Sequence, residues 1–172
     1  WYINGVPQKV RDSDGAETSE LVRLIDFENI ENNDFLAVNQ FSVEHNSEAG
    51  TRRPDVVLFV NGLPLGVIEL KNPLDLDTDV WEAFNQLETY KSQISRLFYY
   101  NAALAIADGA DARAGSLTAD RERFLKWRSV DGEVLDPHGS FGHAQSLIEG
   151  LFSKKNLLDV VQYFTIFVSS KN

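Results

Sequence analysis

At 172 residues, 43% of them hydrophobic and 24% charged, the chain has enough apolar content for one substantial core and too little length for two full domains. The absence of cysteine excludes disulfides and thiolate metal sites, and no apolar run approaches the roughly 18 residues needed to cross a bilayer. A net charge of -10 opposes non-specific attraction to a phosphate backbone, so any dealing with nucleic acid must rest on local cations, on a metal, or on other domains.

Nothing at the N-terminus reads as a signal sequence, and a cytoplasmic protein with no membrane association is expected. The start at Trp1 and the lack of any methionine suggest a piece of a longer polypeptide.

In chain order, turn signals (Asn4-Gly5, Asp14-Gly15, Asn32-Asn33-Asp34) alternate with short apolar stretches, Leu21 to Phe27 and Phe35 to Val43, which predict two early strands. The apolar, valine-rich run VVLFV at 56–60 reads as a strand covered on both faces. Asn61-Gly62-Leu63-Pro64 supplies a turn, and Leu65 to Lys71 returns as the second arm of a hairpin that Pro73 closes. Asp79 is placed to cap a helix running to about Ile94, with Val80, Ala83, Leu87 and Tyr90 at the spacing of a buried face. Ala102 to Ala107 reads as a buried strand ended by Asp108-Gly109, and Leu117 to Arg128 as a helix whose exposed side is basic: Arg121, Arg123, Lys126 and Arg128. From Ser140 the pattern is helical again, with Leu147, Leu151, Leu158 and Val161 on one side and an apolar run from Tyr163 to Val168 at its end.

Chemistry concentrates in the hairpin. Period-two alternation in LGVIELK puts Leu65, Val67, Glu69 and Lys71 on one face, so an acid and a base project together from an otherwise apolar strand. Burying such charges costs several kcal/mol per ion unless they pair, or meet a metal or a substrate. Whether Asp55 joins them depends on register. A three-residue loop of Gly62, Leu63 and Pro64 sets Asp55 opposite Lys71 and diagonal to Glu69, whereas a two-residue loop sends Asp55 to the other face. The first arrangement, or an equivalent bulge, is expected. Two converging carboxylates suit a hard cation such as Mg2+ or Mn2+, and a lysine beside them suits stabilisation of charge developing on a phosphate. The implied reaction is phosphodiester hydrolysis.

PD at 54–55 followed by ELK at 69–71 across one hairpin matches the pattern of the PD-(D/E)xK nucleases. The longer stretch RRPDVVLFVNGLPLGVIELKNP at 52–73 resembles the nuclease domain of the type I restriction enzyme motor subunit. The likeness continues in LIDFENIENNDFLAVNQFSV (24–43), QLETY (86–90), LFYYNAALAIADG (97–109) and GSLTADRERFLKW (115–127). That resemblance implies an α/β fold with a restriction-endonuclease-like core: a central mixed β-sheet flanked by helices, with a nuclease domain over 1–130 and a helical extension over 131–172. It implies a Mg2+ or Mn2+ ion held by Asp55, Glu69 and the backbone carbonyl of Leu70, with Lys71 at the attacking water. Gln86 and Tyr90 match the family's QxxxY motif and would organise DNA or the catalytic groups. Arg52 and Arg53, and Arg121 and Lys126 on the basic segment, are the candidate DNA contacts. Related nucleases carry a further acidic residue upstream, for which this chain offers no convincing equivalent.

The expected partners are double-stranded DNA, the methyltransferase and specificity subunits, and adjoining helicase domains of the same chain. No GxxxxGK[ST] occurs, so ATP is expected to serve the complete enzyme without binding these residues. Asp75, Asp77 and Asp79 imitate the start of an EF-hand, but Val80 stands where its glycine belongs and Gln86 where its glutamate belongs. His45, His138 and His143 lack the spacing of zinc ligands. The competing reading is a catalytically silent nuclease-fold module that docks the motor onto its partners; the intact Asp55, Glu69 and Lys71 argue for the enzyme.

Overall fold

Asn61 and Gly62 both take positive φ, 50° and 79°, the conformation of a two-residue hairpin turn whose twist suits the strands it joins. That turn organises the centre of the computed structural model, which describes residues 3–47, 50–72, 79–139 and 142–165. Pro73, Asp75, Asp77 and the apolar residues from 166 onward lie outside the described residues.

The strands are β1 (Val6–Arg11), β2 (Glu17–Val22), β3 (Phe35–Asn39), β4 (Val43–Glu44), β5 (Thr51–Arg52), β6 (Val56–Val60), β7 (Leu63–Leu70), β8 (Ala103–Ala107), β9 (Ala112–Gly115) and β10 (Leu125–Lys126). Six of them form one sheet in the order β10-β9-β8-β7-β6-β3. Only β7 and β8 run parallel within it; the other neighbours are antiparallel. A parallel pair needs a crossover, and α1 (Val80–Gln93) provides it. The sheet is thus mixed and central, as expected.

Asp79 caps α1 through its side chain, which accepts from the Trp81 N–H at 2.9 Å. Val80, Ala83, Phe84, Leu87 and Tyr90 are its buried residues, the expected face with Phe84 added. They pack with Val57, Val67, Leu104 and Ile106 on one side of the sheet. The opposite side is covered by α2 (His143–Gly150) and α3 (Lys154–Asp159), followed by a π-type turn at Val160–Phe164. Leu147 and Leu151 meet Ile68, Ala105 and Ala107, while Leu158 and Val161 join Val60, Leu65 and Ile25. The residues read as a helical extension therefore supply the second layer over the same sheet.

Two sequence expectations are corrected. Leu117 to Arg128 is not a helix: Asp120 caps one short 3-10 turn, Arg121–Arg123, and Leu125–Lys126 then pairs with β9. The cause is Phe124, which is 1% exposed and meets the Phe84 ring edge-on at 5.0 Å between centroids. Gly115 leaves room for it, since a Cβ there would lie 2.7 Å from the Phe124 ring. Burying one aromatic in this way outweighs continuing a helix. The first early strand is also misplaced: β2 ends at Val22, and residues 24–27 are irregular around buried Ile25. The β1–β2 hairpin escaped notice because its residues are almost all exposed and lack a core-facing alternation.

Candidate active site

The position of Asp55 is decided by a bulge. From the two-residue turn, Val60 pairs with Leu63 and Phe59 with Pro64, a register that would carry Asp55 to the far side of the sheet. Between Leu58 and Phe59 the register shifts: Leu58 pairs with Gly66 and Val56 with Ile68, leaving Leu65 as an extra residue on β7. Continued by one residue, this register sets Asp55 directly opposite Glu69. The expected parity is achieved through the bulge and not through a longer loop, so the partner of Asp55 is Glu69, with Lys71 diagonal to it. Packing holds the bulge. The bulge also breaks the expected alternation: Leu65 does not share the face of Val67 and Glu69 but is fully buried on the other side with Val60, Leu157 and Leu158, while a Cβ on Gly66 would come within 3.1 Å of Leu58 and 3.3 Å of Phe152.

Asp55 and Glu69 meet at short range. The Asp55 N–H donates to Glu69 Oε2 at 3.3 Å, and the Leu70 N–H donates to Asp55 Oδ2 at 2.8 Å. Glu69 is 1% exposed. Burial, and then the adjacent Asp55 charge, push its carboxyl up to about 8, against weaker lowering by the Asp55 N–H and by Lys71. A buried carboxyl with a second carboxylate beside it is an electrostatically unsatisfied arrangement that a cation would relieve.

Lys71, just beyond β7, is anchored by its backbone N–H to the Ala107 carbonyl at 2.8 Å. Its Nζ donates to Gln86 Oε1 at 2.7 Å, and Gln86 Nε2 donates to the Tyr90 hydroxyl at 2.7 Å. Tyr90 in turn donates to the Arg53 carbonyl over a long 3.5 Å. Desolvation raises the Tyr90 phenol above its ordinary range, so it stays neutral and able to donate. The spacing of Gln86 and Tyr90 on α1 thus gives a continuous relay from the Lys71 ammonium to the chain just before Asp55. All five candidate catalytic residues come together on the α1 side of the sheet.

The candidate DNA contacts are scattered. Arg52 Nε is engaged by Gln93 Oε1 at 2.5 Å, and Arg53 is exposed. Arg121 donates to Asn85 Oδ1 at 2.7 Å and lies 5.5 Å from the Trp81 ring centroid. Lys126 bridges Asp111 at 3.3 Å. Sequence reading missed Arg113, which also lies over Trp81, at 4.8 Å, and bridges Asp111 at 2.8 Å. Successive pairings place Glu69, Ile106, Arg113 and Lys126 in one row across the sheet, so the cations share the face of the carboxylates. Such a row is invisible in a sequence that separates its members by tens of residues. Sequence reading also missed Gln40, whose side chain reaches Asp55.

Among the described residues no cluster of three or more His, Cys, Asp or Glu side chains is placed to hold a metal, so the acidic donors here are two carboxylates. A cavity of about 670 Å³ bounded by Asn101, Gly115, Trp127, Leu151 and Phe164 has none of the site residues in its wall. Among the described residues no helix is long and apolar enough to cross a membrane.

A mixed α/β domain with two carboxylates and a lysine converging at the end of a central hairpin is the class of protein that fold and site define. Its family is shown directly, because the family model described as type I restriction enzyme R protein N terminus matches residues 1–123, and the chain belongs to that family. Among curated relatives, the type I restriction enzyme HindI endonuclease subunit of Haemophilus influenzae is 49% identical over 154 residues, covering 89% of this chain and 14% of the relative. A relative from Methanocaldococcus jannaschii is 37% identical over 185 residues, covering 98% of this chain and 18% of its own. The type I restriction enzyme EcoprrI endonuclease subunit of Escherichia coli is 31% identical over 161 residues, covering 87% and 47% respectively. The chain thus spans less than a fifth of the length of the first two relatives.

Proposed function

We propose that this chain is a metal-dependent endonuclease domain of a type I restriction enzyme, built on a PD-(D/E)xK core and hydrolysing DNA phosphodiester bonds. The observation that carries the proposal is the convergence of Asp55 and Glu69 across one strand pair, with Lys71 on the same face.

The donor set fits Mg2+ or Mn2+. Its ligands are hard carboxylate oxygens, and burial of Glu69 against Asp55 leaves negative charge that a divalent cation would compensate. Asp55 and Glu69 would hold the ion, joined, as the family resemblance implies, by the Leu70 carbonyl. When bound, such an ion polarises a phosphoryl oxygen and lowers the pKa of water.

The protein's own groups supply the rest. Lys71, oriented by Gln86, presents an ammonium toward the developing negative charge of the phosphate and the attacking water. Tyr90 fixes the amide of Gln86, which leaves Gln86 Oε1 directed at Lys71. Arg113, Lys126 and Arg121, the first two sharing Asp111 between them, are the cations on the α1 side of the sheet for the DNA backbone, and exposed Arg53 lies two residues before Asp55. Delivery of DNA by a motor in the same polypeptide, with methyltransferase and specificity subunits, answers the net charge of -10. The motor would use ATP.

Titration of the chain with Mn2+ tests the reading. Calorimetry is expected to show binding that Asp55→Asn weakens by at least tenfold. No binding by the wild type, or equal binding by Asp55→Asn, would remove the metal site.

A further inference from the structure

The carboxylate of Asp55 is held on both oxygens. Leu70 N–H serves Oδ2 at 2.8 Å, and the other oxygen, Oδ1, accepts from Gln40 Nε2 at 2.6 Å. Gln40 also donates its backbone N–H to the Asp55 carbonyl at 2.9 Å, so one residue grips Asp55 by main chain and side chain together. With one N–H on each oxygen the carboxylate cannot swing about its Cβ–Cγ bond without breaking a hydrogen bond, yet it keeps lone pairs free for a cation.

Gln40 holds this position in a conformation that does not suit it. It follows β3 directly and has φ of 51°, in the left-handed region that glycine, asparagine and aspartate tolerate and other residues seldom enter. Local preference therefore argues against glutamine here. The next residue anchors the turn: Phe41 packs edge-on against Phe59, 5.2 Å between centroids, beside the core under α1. Strained backbone kept in place by its surroundings is most often found where a side chain has a task.

An amide is suited to that task. A lysine or arginine would neutralise Asp55 and compete with a metal, whereas an acid would repel it; a neutral donor orients the carboxylate and leaves its charge intact. From these contacts we infer that Gln40 is a positioning residue that sets the Asp55 carboxylate for metal binding. The inference rests on the metal-site reading given above.

The test uses the 172-residue chain with Gln40→Gly, which suits the left-handed backbone and keeps the main-chain hydrogen bond but removes the amide. The thermal midpoint is expected to stay the same or rise, while Mn2+ affinity falls about tenfold to a hundredfold. Without metal, the Leu70 amide, released by a carboxylate now free to rotate, is expected to exchange on the order of fivefold to tenfold faster. Gln40→Asn keeps an amide and tolerates the backbone but is one methylene too short, and is expected to bind Mn2+ as poorly as Gln40→Gly. Wild-type Mn2+ affinity and Leu70 protection in Gln40→Gly would overturn the inference, as would a lowered midpoint that accounts for both losses. If the wild type binds no Mn2+ and Gln40→Gly still releases the Leu70 amide, the metal reading falls while the grip on Asp55 stands.

Discussion

Replacing Glu69 by glutamine reverses the usual expectation that losing a site residue weakens a protein. In the metal-free chain the Glu69 carboxyl is raised from 4.5 to about 8 by burial and by Asp55. A raised folded-state value means that the native state binds the proton more tightly than the unfolded state does. The associated stability is fully present below pH 4.5 and is lost as pH rises toward and through about 8. At about 1.4 kcal/mol per pH unit, that interval corresponds to on the order of 5 kcal/mol, a ceiling that relaxation of the site and entry of water reduce. Glutamine is neutral at every pH and keeps an oxygen to accept the Asp55 N–H. Denaturant unfolding of both chains between pH 4 and 9.5, without metal, is the assay. The stability difference is expected to move in favour of Glu69→Gln by roughly 3 to 5 kcal/mol across that range, a change in midpoint of about 10 °C near pH 9. Adding Mn2+ at pH 8 is expected to restore the wild type and leave the variant unmoved. Parallel stability curves for the two chains would refute the reasoning, since they would show Glu69 ionising in the fold as it does in water.

Lys71→Met keeps the aliphatic stem and removes the ammonium; in a full-length R subunit with its partners, DNA cleavage is expected to drop by about 10² to 10³ while Mn2+ binding persists. Retained cleavage would take Lys71 out of the chemistry. Arg121→Ala and Lys126→Ala, measured as DNA affinity of the full-length subunit against salt, are each expected to reduce the slope by about 0.9, and an unchanged slope would mean that neither side chain meets a phosphate. Gly115→Ala drives a methyl to 2.7 Å from the buried Phe124 ring and is expected to cost about 1 to 3 kcal/mol in urea unfolding, with β10 the first element to lose amide protection. A variant as stable as the parent would show that Phe124 moves freely.

Much of the candidate site was legible in the residues themselves. Asp79 and the spacing of Val80, Ala83, Leu87 and Tyr90 located α1 almost to the residue, because a cap and a 3.6-residue period are local properties. The separation of four sets Gln86 beside Tyr90 on one face of that helix, while the bond from Lys71 to Gln86 is a contact between elements that the spacing does not report. The basic segment after Leu117 failed on the same kind of reasoning. Its charges look like a helical face, yet one aromatic, Phe124, is drawn into the core beside Phe84, and no local pattern reports that competition.

The sequence by itself, with the family resemblance it carries, named the groups of the candidate site: two carboxylates, a lysine, and a glutamine and tyrosine on the following helix. Alternation already set Glu69 and Lys71 on one face, but tertiary structure decided how Asp55 comes to join them. Parity across a hairpin changes with a single residue, and that residue, Leu65, sits where it does because its side chain fits beside Val60 and Leu157 while Gly66 passes under Phe152. Tertiary contact alone also brings Gln40 to Asp55 in a conformation its own preferences disfavour. Propensity acts over a few neighbouring residues, whereas the bulge, the burial of Glu69 and the grip of Gln40 depend on packing between segments distant along the chain.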